Sequence, residues 1–264
     1  MGAGLRLRIL ESGDAAGRPV LLLHGWGMSA YSFRAALPTF AAAGFRAVAV
    51  DQTGHGLSDK PWDLACYARE SMIAAAGAVL DAMDARDALV VGVSMGGGVA
   101  AGLAVAHHPR VGRVALVNPV GFAPVRFTTM AQVMTPLRFR HHASRLVSRP
   151  LVRLMLRLAY ADASRISERD VEEYWGTASQ PGAAAALVAL LHRFSWHRFA
   201  EADLRGIGIP ALLVVGTHDH LIVGSERHAA HIPGLRVMRV AGGHLVNEER
   251  PEVVDAALVS FARE

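Results

Sequence analysis

The stretch from Ala88 to His107 constrains this chain more than any other. An apolar run, Ala88-Leu89-Val90-Val91-Gly92-Val93, passes through Gly92-Val93-Ser94-Met95-Gly96 directly into a helix-compatible run, Met95 to His107. Strand, sharp turn and helix follow one another, with one serine at the corner. Such a turn strains the serine backbone and lifts its hydroxyl clear of the sheet edge. Gly92 and Gly96 flank the corner because a side chain there would block the close approach of strand and helix. The helix that starts at Met95 aims its unpaired N–H groups and positive dipole end at the same point. An exposed hydroxyl beside anion-stabilising amides suits acyl transfer. The plainer reading of the five letters is a glycine-rich βα turn, and the apolar strand before and helix after argue against it.

The rest of the chain alternates in the same way. Leu5, Leu7 and Ile9 interleave with Arg6 and Arg8 as a half-exposed strand, and Pro19–Leu23 is a short buried strand ending in His24-Gly25-Trp26-Gly27. Tyr31–Ala43 reads as a helix stopped by Gly44, and Phe45–Val50 as a buried strand running into Asp51-Gln52-Thr53-Gly54-His55-Gly56-Leu57-Ser58. Cys66–Met83 has helical spacing, and Val111–Val117 is another strand. After Asn118-Pro119 only helical periodicity remains, in Ala143–Ala159, Ser167–Trp175 and Pro181–Phe194. Strands return at Ile209–Val215 and Leu235–Val240, with helices near Ser225–His231 and from Pro251. Buried strands alternating with helices predict a mostly parallel sheet with helices on both faces. An all-helical run at one crossover predicts a cap over the strands' carboxyl ends, the edge where open α/β sheets bind ligands. The expected division is a core of residues 1–119 and 199–264 and a cap of 120–198.

With 264 residues, 52% hydrophobic and 19% charged, the chain can bury a sizeable core. It shows no repeat, low-complexity tract or long block of like charge. The single cysteine, Cys66, excludes an intrachain disulfide and reads as a small buried hydrophobe. Met1 to Leu10 carries Arg6 and Arg8 and no apolar signal core, and no run reaches the length of a membrane span. A soluble cytoplasmic protein without a nucleic-acid partner is expected. The net charge of +4 is uneven, because Val120–Ala200 holds eleven arginines against five acids. Arg145, Arg149, Arg153 and Arg157 recur every four residues and would share one drifting face of a continuous helix, although Pro150 would kink or split it. That face is read as solvated, with an acidic carrier protein, a substrate carboxylate or an anionic membrane surface as the partners it could attract.

A serine hydroxyl needs an adjacent base, and the base an orienting acid, all at one sheet edge. Of the thirteen histidines, His244 follows strand Leu235–Val240 through Ala241-Gly242-Gly243. Asp219 lies just beyond strand Ile209–Val215 in Gly216-Thr217-His218-Asp219. The order Ser94, Asp219, His244 is that expected for this kind of elbow. Asp51 and His55 also sit at a strand's carboxyl end. His218-Asp219-His220 is weak as a metal motif, having no further ligand at a known spacing, so no metal is expected. His107-His108 and His141-His142 read as helix-end and surface residues.

Together, His24-Gly25-Trp26-Gly27, Gly54-His55-Gly56-x-Ser58, the elbow, Asp219 and Gly243-His244 make the chain resemble the α/β-hydrolase superfamily, in a serine-nucleophile branch with a helical cap. The resemblance spans nearly the whole chain. It implies an oxyanion hole of two backbone N–H groups, mapping to Trp26 and Met95, which are fixed before charge develops. It makes the Asp51–His55 loop structural. It implies no cofactor. Only one strand has room before Pro19, so the family's usual first strand is expected to be missing. Dehalogenases and epoxide hydrolases of this fold carry aspartate where Ser94 stands, so neither reaction is expected.

The expected reaction is carboxylic ester hydrolysis through an acyl-enzyme, on a partly apolar small molecule. The alternative is carbon–carbon bond hydrolysis of ring-cleavage diketones, which shares fold, triad and cap. Those enzymes usually place tryptophan after the catalytic histidine, where this chain has Leu245. Thioesterase and perhydrolase activities are further readings. A non-catalytic ligand receptor on the same fold is disfavoured because all three triad positions are filled.

Overall fold

The computed structural model describes residues 4–126 and 128–264. Met1–Ala3, the start of the stretch read as lacking a signal core, and Phe127, in the helical run, lie outside the described residues. In chain order the elements are β1 (Ile9–Ser12), β2 (Arg18–Leu23), α1 (Ala36–Ala42), β3 (Phe45–Val50), α2 (Arg69–Ala82), β4 (Ala88–Val93), α3 (Met95–Val105) and β5 (Val111–Val117). Then come α4 (Thr128–Met134), α5 (Arg149–Ala159), α6 (Glu168–Ala178), α7 (Ala183–Arg193) and α8 (Glu201–Arg205). The chain closes with β6 (Ala211–Gly216), α9 (Ser225–Ala229), β7 (Arg236–Val240), α10 (Val246–Glu249) and α11 (Pro251–Arg263).

The seven strands form one sheet in the order β1-β3-β2-β4-β5-β6-β7. All pairs are parallel except β1 with β3, where Ile9 faces Val50 and Ser12 faces Ala47. One strand precedes Pro19 among the described residues, as the sequence allowed, but it begins at Ile9. Leu5 and Leu7 lie before it, in a segment whose Arg6 and Arg8 carbonyls accept from Asp59 N–H and Asp51 N–H. From β2 the sheet grows first toward β3 and then, through β4, in the opposite direction. Ligand crevices form at such a reversal, at the strands' carboxyl ends.

Strand residues alternate between two apolar layers. Leu21, Leu23, Val48, Val50 and Val90 face α2 and α3, with Leu80, Leu103 and Leu190 in the same layer. Val20, Leu22, Ala47, Ala49 and Val91 face α1 and α11, with Phe40, Leu258 and Phe261. Period-two side-chain direction in strands buried on both faces accounts for their unbroken apolar runs.

Several predicted helices are shorter than their periodicity. Tyr31–Ala43 divides into a 3₁₀ turn, Ala30–Phe33, capped by the Ser29 hydroxyl, and α1. Cys66–Met83 divides into a 3₁₀ turn, Leu64–Tyr67, and α2. Tyr67, not Cys66, fills the core from that turn, so Cys66 is only half-buried, against expectation. Ala143–Ala159 breaks at Ser148, whose hydroxyl caps α5, with Pro150 in the first turn where its missing N–H is harmless. Arg145 therefore belongs to the preceding 3₁₀ segment, Leu137–Leu146, and the row of four arginines is not one helix face. Among the described residues no strand runs between β5 and β6 apart from an isolated bridge, Val125 to Ile222, and no helix is long and apolar enough to cross a membrane.

Candidate active site

Ser94 stands between β4 and α3 with φ +53° and ψ −116°. A non-glycine residue held there costs about 1–3 kcal/mol, supplied by the packing around it. Its N–H donates to the Val117 carbonyl, and its carbonyl accepts from Val120 N–H, both at 2.9 Å, which clamps the corner onto the end of β5. A Cβ on Gly96 would lie 2.1 Å from the Leu23 carbonyl oxygen, so only glycine lets α3 pass this close to β2.

His244 Nε2 lies 2.8 Å from Ser94 Oγ, and His244 Nδ1 lies 2.8 Å from Asp219 Oδ2. The second Asp219 oxygen accepts from the N–H groups of Leu221 and Ile222, at 2.8 and 3.1 Å. The carboxylate is thus fixed from both sides, and the imidazole carries its proton on Nδ1 with a lone pair toward the serine. All three residues are buried. They come from three strand ends and are 25 and 150 residues apart in sequence.

The loop after β2 meets the elbow at Gly25, where an added Cβ would lie 3.2 Å from Ser94 Cβ. The Gly25–Trp26 peptide is therefore beside the serine. Met95, first residue of α3, has an N–H with no acceptor inside its own helix. The Trp26 indole donates to the Leu187 carbonyl of α7 at 3.0 Å, joining this loop to the helical run. Two buried histidines brace it from beneath. His24 donates from Nδ1 to the Gly25 carbonyl and accepts the Gln52 N–H on Nε2, at 2.8 and 3.1 Å. His55 accepts the Gly27 N–H on Nε2 at 3.2 Å. Burial holds both imidazoles below their ordinary range, and His24 adds to the effect on His55. Asp51 accepts from Ala30 N–H, Leu57 N–H and Arg8, so the start of the loop from Asp51 to Ser58 is fixed by these contacts.

Sequence reasoning missed three polar residues that hold the site. Asn118, at φ +41°, accepts Gly216 N–H on Oδ1 and donates from Nδ2 to the carbonyls of Gly243 and His244. Glu249 accepts Gly243 N–H at 2.7 Å, together with the N–H groups of Ala161 and Asp162 just past α5. Glu248, buried, accepts from Arg34, Ser32, Tyr160 and Tyr174. Asn118 follows a strand end directly, which was the available signal, and the two glutamates stand four and five residues after His244 with none. His218 and His220 form no ligand cluster with Asp219, whose oxygens are taken by His244 and backbone amides. His107 lies in the turn just past α3 at φ +50°, and His141 and His142 are exposed.

The family model described as alpha/beta hydrolase fold matches residues 18–251. The chain belongs to the alpha/beta hydrolase fold family. It is 27% identical to epoxide hydrolase A of Mycobacterium tuberculosis over 98% of this chain and 94% of that protein. It is 38% identical to a 2-hydroxymuconate semialdehyde hydrolase of Pseudomonas sp. strain CF600 over 46% of this chain and 42% of that one. Among solved structures, the enol-lactonase of Burkholderia xenovorans LB400 superposes with a TM-score of 0.82 at 22% identity, covering 99% and 98% of the two chains. The protein is a hydrolase of this fold, with the mostly parallel sheet and flanking helices that its sequence predicts.

Proposed function

We propose that this hydrolase cleaves a carboxylic ester through an acyl-enzyme, with Ser94 as nucleophile, His244 as base and Asp219 as its orienting acid. The observation that carries this reading is the unbroken chain of contacts from Ser94 Oγ through His244 to Asp219, at 2.8 Å each. His244 Nε2 takes the hydroxyl proton as Oγ attacks the ester carbonyl, and the oxyanion is held by the N–H groups of Trp26 and Met95. The tetrahedral species collapses, and Nε2 returns the proton to the leaving alcohol. Water, deprotonated by the same nitrogen, then releases the acid and restores Ser94. Asp219 stays ionised throughout and stabilises the imidazolium. The residues of this chain perform every step without a cofactor.

Residues 120–198 act as a cap in this scheme, lying over the strand ends that carry the three side chains and supplying a partly apolar wall for a small-molecule substrate. The likeness to an epoxide hydrolase does not carry its reaction here, because serine stands at the elbow. The partial likeness to a 2-hydroxymuconate semialdehyde hydrolase makes carbon–carbon cleavage the second reading. The decisive experiment is a screen of p-nitrophenyl esters of graded chain length beside one ring-cleavage diketone, with fluorophosphonate labelling mapped by mass spectrometry. Ester turnover with the label on Ser94 is the expected result. Preferred turnover of the diketone replaces the ester reading with the second one, and an unlabelled Ser94 overturns both.

A further inference from the structure

Next to Val120, whose N–H meets the Ser94 carbonyl, the chain enters and leaves the helical run side by side. Phe199 N–H donates to the Gly121 carbonyl at 2.9 Å, and a Cβ on Gly121 would lie 2.6 Å from the Phe199 ring. Against this junction stand Glu201, at the start of α8, and His228 and His231, on and just past α9. Each offers one ligand atom, and these atoms all lie within 4.8 Å of one another. They are the one such group of three among the described residues.

The hydrogen bonds of the two histidines set their tautomers. His228 Nε2 contacts the Phe199 carbonyl at 2.8 Å, and His231 Nδ1 contacts the His228 carbonyl at 3.0 Å. A carbonyl only accepts, so both nitrogens donate. In the neutral rings the lone pairs are then on His228 Nδ1 and His231 Nε2. A backbone carbonyl holding the second ring nitrogen is the usual support of a metal-bound imidazole. His231 Nε2 lies 3.2 Å from Glu201 Oε2, so one cation, a proton or a metal ion, belongs between them. Two ligand atoms about 2.0–2.1 Å from a tetrahedral zinc are separated by about 3.3 Å. The His231–Glu201 contact already has the length of that edge. Arg205 donates to the same Glu201 oxygen at 2.7 Å and orients it.

We propose that Glu201, His228 and His231 form a divalent zinc site that ties α8, where the chain returns from the helical insertion, to α9. Two imidazoles and one carboxylate suit zinc better than the hard cations calcium and magnesium, and water fills the fourth position. The three ligands join α8, which follows the insertion, to α9, which follows β6. The bound ion holds the junction closed without touching Ser94.

The test uses the full chain, stripped with chelator and titrated with zinc chloride alone by calorimetry and thermal denaturation. Uptake of zinc with a micromolar or tighter Kd and a rise of several degrees in Tm are expected, since a ligand bound only by the folded state stabilises it. His231→Gln and Glu201→Ala should each weaken binding at least tenfold, and His141→Gln/His142→Gln, remote surface histidines, should leave it unchanged. Glu201 is exposed, so Glu201→Ala decides the question if a histidine variant fails to fold. Absence of saturable uptake at 100-fold micromolar zinc, undiminished binding by Glu201→Ala, or loss of binding in the His141/His142 variant overturns the proposal.

Discussion

Asn118 donates its side-chain amide to the backbone carbonyl of His244 at 2.8 Å, across 126 residues of sequence. Its carbonyl oxygen accepts Gly216 N–H at 2.9 Å, at the end of the strand that leads to Asp219. One buried amide thus sets the spacing between the loop that carries Asp219 and the loop that carries His244. Asn118→Ala should lower kcat on the order of 10²-fold, because displacement of the base by about 1 Å has that effect. Fluorophosphonate labelling of Ser94 should slow in parallel while KM stays within a few-fold. Unchanged kcat in a folded variant removes Asn118 from the site.

Asp219→Asn should cost roughly 10⁴-fold in rate, since the amide favours the wrong imidazole tautomer. Asp51→Asn should behave differently. It weakens acceptance from Ala30 N–H, Leu57 N–H and Arg8, so Tm should fall while kcat at 25 °C stays within about tenfold. Paired kinetics and melting curves of the two variants check the assignment. A large rate loss in a stable Asp51→Asn protein exchanges their roles.

Arg149 and Arg153 hold Glu172 and Glu168 of α6, and Arg149 also lies 4.0 Å from the centre of the Trp175 ring. These charges are matched locally. Salt and Arg149→Gln/Arg153→Gln should therefore change kcat/KM equally for neutral and carboxylate-bearing esters. A selective loss on the anionic ester would restore electrostatic capture.

Asp255 is buried on α11, and burial, with Glu252 adding to it, pushes its carboxyl up to about 7. In the unfolded chain the value is about 3.9. Between those values the folded state holds the extra proton, so this group's contribution to stability falls as pH rises from about 4 to about 7 and is fully unfavourable above. Asp255→Asn should raise Tm by several degrees at pH 8 and leave it nearly unchanged at pH 4. Equal shifts at both values would show that the gain is not linked to this proton.

The strand–elbow–helix at Ser94 was legible because β4 and all of α3 but Val105 are buried, which forces apolar runs and small residues into the sequence itself. The ends of Phe45–Val50 and Val111–Val117 were legible for the same reason, since period and burial are local properties. The break at Ser148 was signalled by Pro150, whereas the split at Arg34–Ala35 was not legible, because helical spacing runs through it and the break depends on where the next element packs. Glu248 and Glu249 drew no reading from the sequence, since glutamates are mostly exposed. Their burial is set by Arg34, by Tyr160 and Tyr174, and by the amides of Gly243, Ala161 and Asp162, all but Gly243 distant in sequence. Pairings of that kind leave no periodic trace.

A Cβ on Gly243 would lie 2.5 Å from the Ala159 carbonyl oxygen, and Leu245 N–H donates to that same carbonyl. The turn that carries His244 is thus moulded directly on the last residue of α5. Chimaeras that trade the stretch from α5 through Asp162 for that of a relative would reshape the seat of the imidazole along with the segment they replace. The two must come from one parent, so a successful single crossover should fall before Ser148 or beyond Leu245, never between them.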